Sequence, residues 1–193
     1  MEQAHPSFFQ NSRERPYLTY VLIILNLIVF SLMTLAGGST QTSVLIKFGA
    51  KVNELILQGE VWRFFTSMFL HIGLLHLTFN LYALWALGPI TEDLLGRSRY
   101  LIVYILSGIS GSVASFFFSN AISAGASGAI FGLLGALVSY SRKSPGLWKS
   151  GFGKNLVIII LINLCLGFFQ SGIDIYAHIG GLICGLILVR LLP

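Results

Sequence analysis

Long apolar runs separated by short polar segments dominate the chain, and this pattern predicts helices that cross a membrane. The first run, residues 17–36, holds no charged side chain, and about 20 helical residues are enough to cross a hydrocarbon core of about 30 Å. Five more apolar runs follow, which gives six predicted spans. Because several of them are short, we expect inward-dipping loops or a thinner bilayer at their ends. These later runs cover residues 72–87, 100–118, 127–140, 156–169 and 175–192.

The composition indicates a membrane protein. Hydrophobic residues make up 55% and charged residues only 10% of the 193 residues, which is more apolar surface than a soluble domain of this size can bury. We therefore predict an all-α polytopic membrane protein with a single six-helix domain at residues 17–193, after a polar tail at residues 1–16. Because a full-length span follows the polar tail directly, we do not expect a cleaved signal peptide.

The basic residues lie between the spans and form no continuous patch, which argues against nucleic acid as a partner and for a role in topology. With six spans, most of the twelve Lys and Arg residues fall on the side of the two termini, and Lys47, Lys51 and Arg63 fall in the first loop on the other side. Since positive charge favours the cytoplasmic side, both termini are predicted to be cytoplasmic. No organelle-targeting segment is visible, so a bacterial plasma membrane is the expected location.

The first loop, residues 37–62, has apolar residues at helical spacing with polar residues between them. One interpretation is a helix that lies in the membrane interface with one face in lipid. The other, which we favour, is a covering loop that braces the bundle. Trp62 and Arg63 after it are expected to form an interfacial anchor. The apolar positions are Leu45, Phe48, Val52, Leu55 and Ile56.

Two polar side chains stand at the starts of apolar spans and form a coherent chemical pair. Ser127, within the sequence GASG, opens the fourth span, and His178, within AHIGG, stands near the start of the sixth. Ionisable and polar groups in hydrocarbon cost free energy and are therefore functional candidates. A serine hydroxyl is a poor nucleophile until a base accepts its proton, and histidine is the usual base. We predict a Ser127–His178 dyad.

Two further polar residues, His76 and Asn80, are expected at a similar depth on the non-cytoplasmic side. They are four residues apart and so share one face of the second span. Together with the free backbone N–H groups where Ser127 opens its helix, they are candidates for the donors that stabilise an oxyanion. The fourth span is too short to cross the whole core, so Ser127 is predicted to be recessed in a water-accessible hollow.

Glycines are expected to bring the fourth and sixth spans together. Gly181 and Gly185 form a small-xxx-small pair, and Gly128, Gly132 and Gly135 give the fourth span a smooth stripe. Small residues let helix backbones approach closely in a membrane. Each of these features taken alone, including a single G-x-S-G, is more often a packing motif, and the argument depends on their occurring together.

Other polar residues have structural interpretations. Asp174, one turn before His178, either orients the imidazole as in a triad or caps the helix, and we favour the cap. His71 is expected to cap the second span. Cys165 and Cys184 are interpreted as buried thiols. Because the histidines are not arranged with carboxylates or thiolates, no metal is predicted, and no cofactor is predicted either.

An ordered series of motifs resembles the rhomboid family of intramembrane serine proteases, in its bacterial form. The resemblance covers most of the chain, from about residue 48 to residue 185. Its motifs are Trp62-Arg63, HIGLLHLTFN at residues 71–80, EDLLG at residues 92–96, GASGAIFG at residues 125–132 and AHIGGLICG at residues 177–185.

The resemblance implies a rhomboid-like bundle with Ser127 as nucleophile, His178 as base, and His76, Asn80 and the Ser127 backbone N–H as the oxyanion hole. Phe131 would pack against the imidazole, with Gly125, Gly128, Gly181 and Gly185 in support, while Arg63 and Glu92 would be structural. The implied substrates are single-span membrane proteins within the lipid bilayer. The chain is expected to carry only the six-helix core, and its oligomeric state is left open.

We therefore predict a serine endopeptidase that hydrolyses peptide bonds in or beside membrane helices. Two alternatives belong to other classes. A rhomboid-like protein that binds membrane proteins without cutting them is disfavoured because Ser127 and His178 are both present. A transporter or channel is disfavoured because the ionisable groups cluster in the outer half of the spans instead of lining their full depth.

Overall fold

The structure of the chain, a computed structural model, describes residues 16–169 and 172–192. These residues form an all-helical bundle, and residues 1–15 of the predicted tail lie outside them. The helices, in chain order, are α1 Tyr17–Leu35, α2 Thr42–Phe48, α3 Asn53–Leu57, α4 Arg63–Thr66 with a 3-10 turn at Ser67–Phe69, α5 Gly73–Leu95, α6 Arg97–Phe118, α7 Ser127–Lys143, α8 Pro145–Lys149, α9 Phe152–Phe169 and α10 Ile175–Leu191.

The six longest of these helices match the six predicted spans in order. Four of them, α1, α5, α6 and α9, are long and apolar enough to cross a membrane, and α10 is a shorter apolar helix. Helix α7 has 17 residues, nearly all of them buried after Ser127. It therefore forms the centre of the bundle, packed against α10, α6, α9 and α5.

The predicted end of the second span at residue 87 was wrong. Helix α5 continues through Pro89 to Leu95. Glu92 lies beyond the predicted end, but its carboxylate is buried and accepts hydrogen bonds from the Leu18 and Thr19 amides and the Thr19 hydroxyl at 2.9–3.1 Å. A buried carboxylate with such partners is tolerated, and it ties the start of α1 to the end of α5. The structural role expected of Glu92 is confirmed.

Glycines bring α7 and α10 into backbone contact, as predicted. A Cβ atom at Gly181 would lie 1.9 Å from the Gly128 carbonyl oxygen, and one at Gly185 would lie 1.9 Å from that of Gly132. No side chain fits at these distances, so only glycine permits this approach. The contact fixes the start of α10 beside the start of α7.

The first loop folds against the bundle as α2 and α3, with α4 directly after it, in the way that the bracing interpretation expects. Leu45 and Ile56 are buried in the protein. The expected Trp62–Arg63 anchor is wrong for its second member. Trp62 is exposed, but Arg63 is only 5% exposed and donates hydrogen bonds to the Ile46 and Ala50 carbonyls at 2.9 Å. Arg63 is therefore structural, as the family resemblance implied.

Candidate active site

Ser127 is the first residue of α7 and is partly exposed, although the residues that follow it are buried. The amides in the first turn of a helix have no partner within the helix and point outward together with the positive end of the helix dipole. Ser127 thus combines an accessible hydroxyl with backbone donors beside it.

Gly125 shapes the approach to Ser127. Its φ of +143° is open to glycine and strained for other residues. A Cβ atom there would lie 2.8 Å from Cε1 and Nε2 of His76 and 3.7 Å from the Ser127 Oγ. The absent side chain therefore leaves space that borders both the His76 ring and the Ser127 hydroxyl. The Gly125 amide is held by the Ser67 carbonyl at 3.0 Å.

His76 lies in the first turn of α5 and is partly exposed. Its Nδ1 accepts a long hydrogen bond, 3.4 Å, from the Ile72 amide. A neutral imidazole that accepts at Nδ1 carries its proton at Nε2, which is the nitrogen that faces Gly125. Asn80, buried one turn later, donates from Nδ2 to the His76 carbonyl at 2.9 Å. One of its two N–H groups is thus used within its own helix.

His178 lies in the first turn of α10 and is 8% exposed. Its ring stacks on Phe131 with centroids 4.2 Å apart and planes 12° from parallel. This is the packing that the family resemblance implied for Phe131. Among the described residues, the buried Nδ1 has no hydrogen-bond partner, and it faces Gly167 of α9, where a Cβ atom would lie 3.9 Å away. The imidazole is thus held by packing.

Ser127 and His178 are brought together through their neighbours in the chain. Gly128, which follows Ser127, lies against the carbonyl of Ala177, which precedes His178, and a Cβ atom at Gly128 would lie 3.3 Å from that oxygen. No hydrogen bond joins the Ser127 hydroxyl to His178 in the part of the chain that the structure describes. Catalytic hydrogen bonds are often long or poorly aligned until a substrate binds.

The structure confirms that Asp174 caps α10. Its Oδ1 accepts a hydrogen bond from the Ala177 amide at 3.0 Å, and its Oδ2 accepts one from the Ser115 hydroxyl of α6. Both carboxylate oxygens are therefore occupied by groups other than the imidazole. The cap also links α6 to the turn that carries His178.

The expectation that His71 caps α5 was wrong. Ile72 stands at the N-cap and gives no side-chain cap, while His71 is fully buried with its ring 5.3 Å from that of His76. Burial, with a smaller contribution from His76, lowers the pKa of His71 from 6.5 to about 3. His71 is thus a neutral packing partner of His76. The position of a polar residue near a helix start does not by itself distinguish a cap from a buried ring.

The segment before Ser127 is held by Lys51, which sequence reasoning missed. Lys51 is fully buried, and its ammonium donates to the Ser119 and Ala121 carbonyls at 2.7 and 3.0 Å. Its backbone pairs with Ser123 at 2.9 and 3.1 Å, and Asn53 donates to the Ser119 carbonyl at 3.1 Å. Burial lowers the pKa of Lys51 below its ordinary 10.5, against the opposing charges of Asp174 and Glu54.

Comparison with known proteins agrees with this arrangement. The family model for the Rhomboid domain matches residues 58–193. The chain belongs to the rhomboid family. It is 50% identical over 177 residues to the rhomboid protease GluP of Bacillus subtilis (strain 168), covering 92% of this chain and 34% of GluP.

Two other rhomboid relatives extend the comparison. The rhomboid protease AarA of Providencia stuartii is 35% identical over 196 residues, covering 87% of this chain and 69% of AarA. RHOMBOID-like protein 6, mitochondrial, of Arabidopsis thaliana is 39% identical over 181 residues, covering 92% of this chain and 52% of the relative. The chain thus spans between 34% and 69% of the length of these relatives. With its apolar helices, this family membership makes it an integral multi-pass membrane protein.

Proposed function

We propose that this rhomboid is an intramembrane serine endopeptidase that cleaves peptide bonds in or next to the transmembrane segments of membrane proteins. The observation that carries the proposal is the convergence of Ser127 with His76 across Gly125 and of α7 with the His178 turn of α10. Two relatives that cover most of this chain bear the name rhomboid protease. The arrangement combines a hydroxyl, an imidazole and donors in one place, which suits acyl transfer.

In the proposed mechanism, Ser127 and His178 act as a dyad. His178 accepts the proton from the Ser127 Oγ as this oxygen attacks the scissile carbonyl, and a tetrahedral intermediate forms. The intermediate collapses with cleavage of the C–N bond, and the imidazolium gives its proton to the leaving amine. His178 then accepts a proton from water, the resulting hydroxide attacks the acyl-enzyme, and the new carboxyl terminus leaves while Ser127 regains its proton.

The oxyanion of each tetrahedral intermediate needs donors that are already in place. We propose the Ser127 backbone N–H, the Nε2–H of His76 and the remaining N–H of Asn80. The bond from the Ile72 amide to His76 Nδ1 supports this role because it favours the donor form at Nε2. Removal of one such donor typically costs about 10²–10³ in kcat.

The proposed dyad works without a catalytic acid. The Phe131 ring supports the orientation of the imidazole by stacking, and both oxygens of the Asp174 carboxylate have other partners. Phe131 and the glycines at 125, 128, 181 and 185 are therefore supporting residues in this proposal, and no metal or cofactor takes part in it.

Substrates, location and topology follow from the same proposal. The substrates are single-span membrane proteins that reach the site at the outer ends of α5, α7 and α10. Residues 17–193 would form one catalytic domain in a bacterial plasma membrane, with both termini in the cytoplasm and the site open to the outer side. The basic residues near the opposite helix ends support this orientation.

Cleavage of a tagged single-span reporter in proteoliposomes tests the proposal. We expect the wild-type protein to cut, Ser127→Ala and His178→Ala to be inactive, and the exposed control Ser150→Ala to cut at the wild-type rate. Labelling by a fluorophosphonate, which reacts with activated serines, should be lost in Ser127→Ala alone among the serine variants. Cleavage that survives Ser127→Ala would reject the nucleophile. Failure of the wild-type protein on several reporters would favour a binding role without cleavage.

A further inference from the structure

The end of the bundle opposite Ser127 contains a cavity of about 220 Å³ where α5, α6, α7 and α10 end or begin. Its apolar surface is formed by Leu95, Val189 and Leu192, and Arg99, Tyr140 and Lys143 supply polar groups. Apolar and cationic groups therefore meet in one recess. None of these residues belongs to the candidate active site.

The two cations of this cavity differ from their basic neighbours. Arg142 lies 5.7 Å above the Trp148 ring, and Arg190 donates to the Ser139 hydroxyl at 3.3 Å. In the described part of the chain, Arg99 and Lys143 have no side-chain hydrogen bond, ion pair or aromatic partner. Two positive charges beside an apolar surface, without a compensating acid, favour an anionic ligand.

The surroundings of Arg99 favour an anion as well. Arg99 is the third residue of α6, so it lies in the turn where free backbone amides and the positive end of the helix dipole add to its charge. The helix start adds to the attraction for an anion, but the side chains of Arg99 and Lys143 would make the main contacts.

We propose that this cavity binds the headgroup of an anionic phospholipid. The phosphate would lie between Arg99 and Lys143, and the parts of the acyl chains nearest the glycerol would lie against Leu95, Val189 and Leu192. Small-molecule pockets typically measure roughly 300–1,000 Å³, so this smaller recess suits a headgroup whose chains remain in the bilayer. The distribution of basic residues predicts that this end is cytoplasmic, where anionic lipids attract basic residues.

Lipid titration of the purified full-length chain tests this proposal without using catalysis. The apparent affinity for phosphatidylglycerol, followed by native mass spectrometry and by the rise in melting temperature, is compared with that for phosphatidylcholine. We expect Arg99→Gln/Lys143→Gln to bind phosphatidylglycerol roughly 30-fold more weakly than the wild type. The matched control Arg142→Gln/Arg190→Gln removes the same charge from the same end and should change the affinity by no more than about threefold.

Other outcomes would overturn the proposal. Equal losses of affinity in the two double variants would mean that the protein attracts negative charge in general. Equal binding of phosphatidylcholine would mean that the site does not recognise the charge of the headgroup. If inorganic phosphate alone gives the same rise in melting temperature, the site binds free anions and the lipid assignment is wrong. Should the double variant not fold, Arg99→Gln and Lys143→Gln are measured singly, each with an expected loss of about fivefold. Because no readout uses cleavage, the result is independent of the proposed protease activity.

Discussion

The imidazole of His178 lies flat on the ring of Phe131, 4.2 Å between centroids, and this stack joins the proposed base on α10 to the helix that begins with Ser127. Phe131 is one turn after Ser127, so a single helix presents both the nucleophile and the surface on which the base rests. The orientation of the imidazole thus depends on a neighbour that takes no part in proton transfer.

Phe131→Leu is therefore expected to lower kcat for reporter cleavage by about tenfold, because a stacked aromatic pair contributes about 0.5–1.5 kcal/mol beyond the burial of its surface. Leucine keeps much of the apolar volume, so the variant should still fold. The matched control Phe152→Leu lies at the start of α9, at the other end of the bundle, and should leave kcat unchanged. Equal rates for the wild type and Phe131→Leu would show that stacking does not orient the base.

Substitutions of Asp174 distinguish a helix cap from a catalytic acid. Asn can keep the cap, because its side-chain oxygen still accepts from the Ala177 amide. We expect Asp174→Asn to retain kcat within a few fold, and Asp174→Ala to lose about 1 kcal/mol of stability. If Asp174 served as the third member of a triad, Asp174→Asn would lose about 10⁴ in kcat. The two variants are compared by reporter cleavage and by thermal unfolding.

The spans and the two glycine-lined helices were predictable because each leaves a local pattern. The length of an apolar run predicts a span, and the four-residue spacing of Gly181 and Gly185 predicts a close helix contact. The end of α5 was not predictable, because Glu92 finds its partner Thr19 73 residues earlier in the chain. When the partner of a charged residue is so distant in the sequence, the local pattern around that residue resembles the end of a span.

Lys51 shows the same limit in the first loop. Apolar residues at helical spacing predict an amphipathic helix, and the polar positions between them are then expected to face water. Lys51 instead faces the protein, because carbonyls 68 and 70 residues later accept its hydrogen bonds. Lys47, four residues earlier and in the same pattern, is exposed. Nothing local distinguishes the two lysines.

The two lysines allow a matched test of the Lys51 clamp, which is the pair of hydrogen bonds from Lys51 to the Ser119 and Ala121 carbonyls. Lys51→Met removes both of these part-buried hydrogen bonds, and a hydrogen bond made by a charged group contributes about 1.5–3 kcal/mol. We expect a lower melting temperature and also a lower kcat, because residues 119–125 lead directly to Ser127. Lys47→Met, which removes an exposed charge, should change neither. If kcat stays at the wild-type value in a folded Lys51→Met protein, the clamp is not needed to position the nucleophile.

His71 makes the stability of the protein depend on pH in the acid range. Its pKa in the folded protein is about 3, against an ordinary 6.5. Above pH 6.5 both states are neutral and the group has no effect. Between pH 6.5 and about 3 the unfolded chain binds a proton that the folded protein does not bind, so the free energy of unfolding falls by about 1.4 kcal/mol per pH unit.

The test compares the wild type with His71→Gln by chemical unfolding in detergent over this pH range. Both proteins share every other titrating group, so the difference between their slopes reports His71. We expect the variant to be less stable than the wild type near neutral pH, because glutamine does not reproduce the packing against His76, and to lose stability more slowly as the pH falls. Parallel slopes would mean that His71 is protonated in the folded protein, and its ring would then be a charged neighbour of the proposed oxyanion donor His76.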